Sequence, residues 1–124
     1  MERTYHKQEI NITESLMSRI NELISHYPED KRKSALLPVL HEVQDAHENW
    51  LSLELMDKVA EIIQIKPIEV YEVVSFYTMY NQKPIGKYMF EFCTTSPCCL
   101  NGAEDLMDYT CEKLGINPGE TTAD

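Results

Sequence analysis

Cys93 and Cys98 are separated by four residues in Cys93-Thr94-Thr95-Ser96-Pro97-Cys98. A C-x4-C step is one recurrent way of presenting two thiolates to an iron–sulfur centre. The intervening hydroxyls and proline predict a tight loop rich in hydrogen-bond donors, and donors to sulfur tune the potential of such a centre. Thr94, Thr95 and Ser96 are therefore candidate supporting residues. Two thiolates make only half of the usual four-ligand set, so the remaining ligands are expected from beyond Asp124 or from another chain.

The pair by itself is open to other readings: zinc ligation, a reversible disulfide, a dithiol redox couple, or simply two semi-buried side chains. The remaining cysteines do not complete it in an obvious way. Cys99 adjoins Cys98, and neighbouring side chains on a chain turning into a helix diverge, which argues against both binding one iron. Cys111 is expected on the order of 14 Å along the last helix, at about 1.5 Å per residue, on its apolar stripe. It reads as a buried structural thiol. His6, His26, His41 and His47 all fall in a helical region, and none pairs at a local ligand spacing.

All four cysteines follow residue 92, a clustering unlike a disulfide framework that staples distant segments. The formal charge of −10 over 124 residues disfavours nucleic acid and anionic membranes as partners. No apolar run is long enough to span a bilayer, and Met1-Glu2-Arg3-Thr4-Tyr5-His6-Lys7 lacks the apolar stretch of a secretory signal, so an intracellular chain is expected. There is no Gly-rich phosphate loop ahead of a helix, so neither a nicotinamide nor a flavin is expected to bind here.

Four amphipathic segments precede the cysteines. Asn11-Ile12-Thr13-Glu14 starts the first, with Leu16, Met17, Ile20, Leu23, Ile24 and Tyr27 at helical spacing up to Pro28. Lys31-Arg32-Lys33 reads as a solvated connector. Ser34 is the expected cap of a second helix, with Leu36, Leu37, Leu40, Val43 and Ala46 inward and Pro38 in its first turn. Ser52 caps a third, carrying Leu55, Met56, Val59, Ile62 and Ile63. Pro67 opens a fourth through Val70, Val73, Val74 and Tyr77, where β-branched residues leave some ambiguity with a strand. His41 and His47, with Glu42, Asp45 and Glu48, read as a solvated polar face, and Trp50 as a core anchor.

The character then changes. Asn81 to Lys87 is turn-rich, and Tyr88-Met89-Phe90-Glu91-Phe92 is predicted to be a strand running into Cys93. A last helix is expected to begin at Asn101-Gly102-Ala103, its free N–H groups towards the thiolates, and to end at Gly115. A lone strand and a lone helix leave a sheet with uncovered faces.

Several stretches together resemble a known family. These are His26-Tyr27-Pro28, Lys33 to His47, Trp50-Leu51-Ser52, Val70-Tyr71-Glu72-Val73, Ser75 to Tyr80, Pro84 to Tyr88, and Cys93 to Cys98 with Gly102. From about Leu16 onward the chain resembles the small iron–sulfur subunit of NADH:quinone oxidoreductase. The resemblance implies an α+β chain: a helical bundle over residues 1–82, then the start of a thioredoxin-like ferredoxin domain over residues 83–124. It implies one [2Fe–2S] cluster held by four cysteines, the first two matching Cys93 and Cys98, with the family's second pair, a C-x3-C, beyond the stretch present here. It also implies electron exchange with the flavin of an NADH-binding partner subunit, contact with other peripheral-arm subunits, and a cytoplasmic place peripheral to the inner membrane. No catalytic residue for NADH is expected on this chain. NAD-linked formate dehydrogenases and hydrogenases use related subunits. The rival readings are a docking module without its own cluster and a dithiol oxidoreductase.

Overall fold

A computed structural model describes residues 6–124. Met1–Tyr5, where the expected bundle begins, lie outside the described residues. The chain divides into two compact units, Met1–Pro84 and Ile85–Asp124. Among the described residues no helix is long and apolar enough to cross a membrane.

In the first unit, α1 (Glu14–Ser25) starts where Thr13 leaves helical space and its hydroxyl accepts the Leu16 N–H at 3.2 Å. Glu14 adds negative charge at the positive end of the helix. Leu16, Ile20, Leu23 and Ile24 are buried. After Pro28 the chain winds through a 3₁₀ segment, Glu29–Ala35, directly into α2 (Leu36–Ala46). Ser34 is therefore not the cap of α2. The Leu36 N–H is already taken by the Lys33 carbonyl in the preceding turn, which leaves no free helix start for a hydroxyl to close.

The basic run inside that segment also departs from the solvated-connector reading. Arg32 donates to the Ile62 and Ile63 carbonyls, both at 3.3 Å. These belong to α3 (Leu53–Ile63), whose last carbonyls have no partner within their own helix, and a guanidinium answers that need. Lys33 reaches Glu69 at 2.7 Å. Glu69 in turn accepts the Lys66 N–H at 2.9 Å, at the start of α4 (Pro67–Phe76).

The buried face of α2 is Leu36, Val39, Leu40, Val43 and Gln44, while Ala46 is exposed. Gln44 is a buried amide satisfied on both sides: it donates to the Met79 carbonyl at 3.1 Å and accepts the Asn81 N–H at 2.8 Å. Ser52 caps α3 as expected, accepting the Leu55 N–H at 3.2 Å. Pro67 takes the first position of α4, where its missing N–H costs nothing, and the segment is a helix with Val70 and Val74 inward. These faces share one core with Tyr80, whose hydroxyl donates to the Leu37 carbonyl at 3.0 Å. Burial pushes the Tyr80 phenol up to about 12.

The second unit contains α5 (Ser96–Leu100) and α6 (Ala103–Leu114). Tyr88–Phe92 is not a strand, and the described residues contain no strand at all, so the β part of the α+β reading is absent from them. The physical reason is pairing: an extended segment becomes a strand only beside another. No residue of α6 is buried, and Leu106 stays 57% exposed on the predicted stripe. Cys111 is consequently half-buried rather than a core thiol, because no second layer covers that face. Gly102, at φ 88°, turns the chain from α5 into α6.

Candidate metal centre

Cys93 directly follows the aromatic segment Tyr88–Phe92 and is exposed. Two residues on, Thr95 sits at the start of α5 with extended backbone, a position from which a threonine ordinarily caps a helix. Here its side chain makes no cap. The Thr95 hydroxyl instead lies 3.0 Å from Cys93 Sγ. Pro97 occupies the first turn of α5, and Cys98 follows it on the same turn.

Cys98 and Cys93 influence each other's ionisation in opposite directions. The Thr95 hydroxyl, then the Thr95 backbone N–H, then the Cys98 thiol hold the Cys93 sulfur below the usual cysteine range. Cys98 is pushed the other way, chiefly because its proton is held by Cys93. In chemical terms, Cys93 is the more readily ionised of the two, and a cation arriving at the pair displaces the protons that the thiols still carry.

The third cysteine of the cluster is turned elsewhere. Cys99 Sγ donates to the Thr94 carbonyl at 3.2 Å, and burial is the main cause raising it. Asn101 closes the end of α5 by donating to the Pro97 carbonyl at 2.7 Å. Among the described residues no group of three or more His, Cys, Asp and Glu side chains is placed to hold a metal ion.

Two sequence expectations change here. The helix that begins at the thiols is α5, not the one expected from Asn101-Gly102-Ala103, and Cys98 lies inside it rather than in a loop. Ser96-Pro97 was the available signal, since proline favours the first helical turn. Of the three candidate hydroxyls, Thr95 is the one that meets sulfur. The histidines also separate: His41 is exposed and tilted against Tyr80 at 5.1 Å between centroids, whereas His47 is only 4% exposed and belongs to the interior, not to a solvated face.

A family model described as thioredoxin-like [2Fe-2S] ferredoxin matches residues 20–124. The chain belongs to that family. It is 41% identical over 114 residues to the mitochondrial NADH dehydrogenase [ubiquinone] flavoprotein 2 of Dictyostelium discoideum, an alignment covering 92% of this chain and 46% of that protein. To an NADH-quinone oxidoreductase subunit of Rickettsia conorii it is 39% identical over 121 residues, covering 98% of this chain and 68% of the relative. The corresponding protein of Rickettsia bellii is 40% identical over 108 residues, covering 87% of this chain and 65% of the relative. The chain thus spans between about half and two thirds of the length of these relatives.

The thioredoxin-like ferredoxins carry a [2Fe–2S] cluster, and the donor chemistry at Cys93 and Cys98 fits one side of it. Thiolates are the ligands such clusters take, and the pair offers two sulfurs, of which Cys93 is held below the usual thiol range by the Thr95 hydroxyl. The fit extends to two ligands among the described residues.

Proposed function

We propose that this chain supplies one half of a [2Fe–2S] electron-transfer site in the NADH-oxidising module of an NADH:quinone oxidoreductase, with Cys93 and Cys98 as its ligands. The observation that carries this reading is the pair of adjoining thiols supported by the Thr95 hydroxyl, inside the stretch the family model matches. When bound, the cluster supplies one-electron storage. Cys93 and Cys98 would each give up the thiol proton on ligation, and the Thr95 hydroxyl, 3.0 Å from the Cys93 sulfur, would donate to it and stabilise its negative charge. Cys99 keeps its bond to the Thr94 carbonyl and stays out of the ligand set.

The other two ligands come from outside the described residues. The electron partner is a flavin- and NADH-binding subunit of the same complex, a reading supported by the names of the relatives and by the missing phosphate loop. Residues 1–82 form the docking portion beside other peripheral-arm subunits, and residues 83–124 carry the cluster side. The assembly stands on the cytoplasmic face, peripheral to the membrane.

The test is anaerobic reconstitution with iron and sulfide, on the chain alone and on the chain extended past Asp124 to include a second cysteine pair. Visible absorption and the EPR spectrum of the reduced sample are then recorded. A [2Fe–2S] signal in the extended chain, lost in Cys93→Ser and Cys98→Ser but kept in Cys99→Ser and Cys111→Ser, is the expected result. A colourless product in both preparations rejects the reading, and equal loss in all four variants rejects the ligand assignment.

A further inference from the structure

The first unit holds a buried titratable group that the cysteine chemistry does not use. His47 closes the C-terminal end of α2, and its two ring nitrogens have opposite duties. Nδ1 lies 2.8 Å from the Val43 carbonyl, which can only accept, so Nδ1 carries the proton. Nε2 accepts the Asn11 backbone N–H at 3.2 Å, so it must be bare. One tautomer of the neutral imidazole satisfies both bonds.

Asn11 belongs to an N-terminal strap, residues 6–12, that runs ahead of α1. A second residue fastens it. The Gln8 side chain donates to the His47 carbonyl at 2.8 Å and to the Trp50 carbonyl at 3.0 Å, and accepts the Ser52 N–H at 3.0 Å. One amide thus serves three backbone groups of the α2–α3 connection. The His6 ring stands edge-on to Trp50, with centroids 6.4 Å apart. Trp50 is buried, and among the described residues its Nε1 donor has no hydrogen-bond partner.

Protonating His47 puts an N–H on Nε2, directly facing the Asn11 N–H. The donor pair repels, and a buried donor without an acceptor is costly. The Nδ1 bond to Val43 survives, and the positive ring sits at the negative end of the α2 dipole, which holds it in place. The strap is therefore the part that must move. Other charged groups do not cancel the effect: His6, Lys7 and Glu9 on the strap, Asp45 and Glu48 around the end of α2, and Glu54 at the start of α3 are all exposed. Glu42 is engaged by Arg19 at 3.0 Å, and among the described residues no carboxylate forms an ion pair with the His47 ring.

We infer that His47 and Asn11 form a pH-sensitive clasp: protonation of His47 releases the N-terminal strap from the α2–α3 connection and uncovers Trp50, leaving the helices folded. The sign follows from proton linkage. The released state binds one more proton than the strapped state, so the strap holds at high pH and loosens as the pH falls. The clasp does not depend on the cluster or its ligands.

The experiment uses the whole chain, taken from about pH 8 to about pH 5, the window in which imidazoles titrate. Two signals are read: Trp50 emission, unambiguous because the chain has one tryptophan, and exchange of the Asn11 amide relative to the Val59 amide, which removes the intrinsic pH dependence. Far-UV circular dichroism reports the helices. The expected result is a red-shifted emission and a loss of relative Asn11 protection of up to about tenfold per pH unit below the midpoint, the limit for one linked proton, with ellipticity unchanged. His47→Gln, which keeps polar groups at the site without titrating there, abolishes both changes. Asn11→Pro, which removes the donor, gives the released emission at every pH. His6→Gln controls for direct quenching of Trp50 and retains the transition. Flat signals in the native chain, a transition that survives His47→Gln, or one that disappears only in His6→Gln overturns the clasp.

Discussion

The two units of this chain use their apolar residues differently. In Met1–Pro84 the stripes of α1 to α4 meet in one core, with Ile20, Leu40, Leu55 and Ile63 fully buried. In Ile85–Asp124 the aromatic segment and α6 carry similar side chains, yet Phe90 is 65% exposed and no residue of α6 is buried. The contrast teaches that an amphipathic pattern specifies a face, and that stability comes only when a second layer covers it. The candidate metal centre lies in the less covered unit. Its geometry is held by local hydrogen bonds around α5 rather than by a packed core.

Hydrogen exchange tests that comparison at its widest. Amides of α2 and α3 such as Val43 and Val59 are expected to exchange only on global unfolding, whereas those of α6 exchange with protection orders of magnitude weaker. Equal protection in the two units breaks the distinction. Next in size, Leu55→Ala removes a fully buried side chain and is expected to destabilise the first unit by about 2–5 kcal/mol in denaturant titrations followed by Trp50 emission. The matching change on the exposed stripe, Leu106→Ala, should leave that curve in place.

Ser52→Ala removes one cap at the start of α3 and is expected to cost about 1 kcal/mol by the same measurement. A cost as large as that of Leu55→Ala contradicts a capping role. The smallest effect on stability is at the cysteines, where Thr95→Val changes chemistry instead. Cys93 is held below the ordinary thiol range, so in the metal-free chain its thiolate appears at lower pH than those of Cys98 and Cys99, and iodoacetamide labels it first. Removing the Thr95 hydroxyl moves Cys93 labelling to higher pH, as read by mass spectrometry of the labelled peptides. An unchanged profile removes Thr95 from the site.

How much of this was legible from residues alone depended on distance along the chain. Thr13, Ser52 and Pro67 announced three helix starts because capping and proline rules act over three or four residues. Ser34 misled, since the 3₁₀ segment before α2 already supplied the acceptor that a cap would have replaced. Lys31-Arg32-Lys33 looked like a run facing water, but Arg32 serves carbonyls 30 and 31 residues away. The strand at Tyr88–Phe92 failed for the opposite reason: its composition suits a strand, and among the described residues no neighbour is present to pair with it.

The residue order alone determined the four apolar stripes, the spacing of Cys93 and Cys98, and the family to which they point, because these are properties of local periodicity and motif. Tertiary structure decided which side chain each polar group meets. It turned Thr95 from a helix cap into a hydrogen-bond partner of Cys93, sent Arg32 to the end of α3, and buried His47 between Val43 and Asn11. Those partners are set by how elements pack and where each Cβ vector points, and a linear pattern carries neither until the chain has folded.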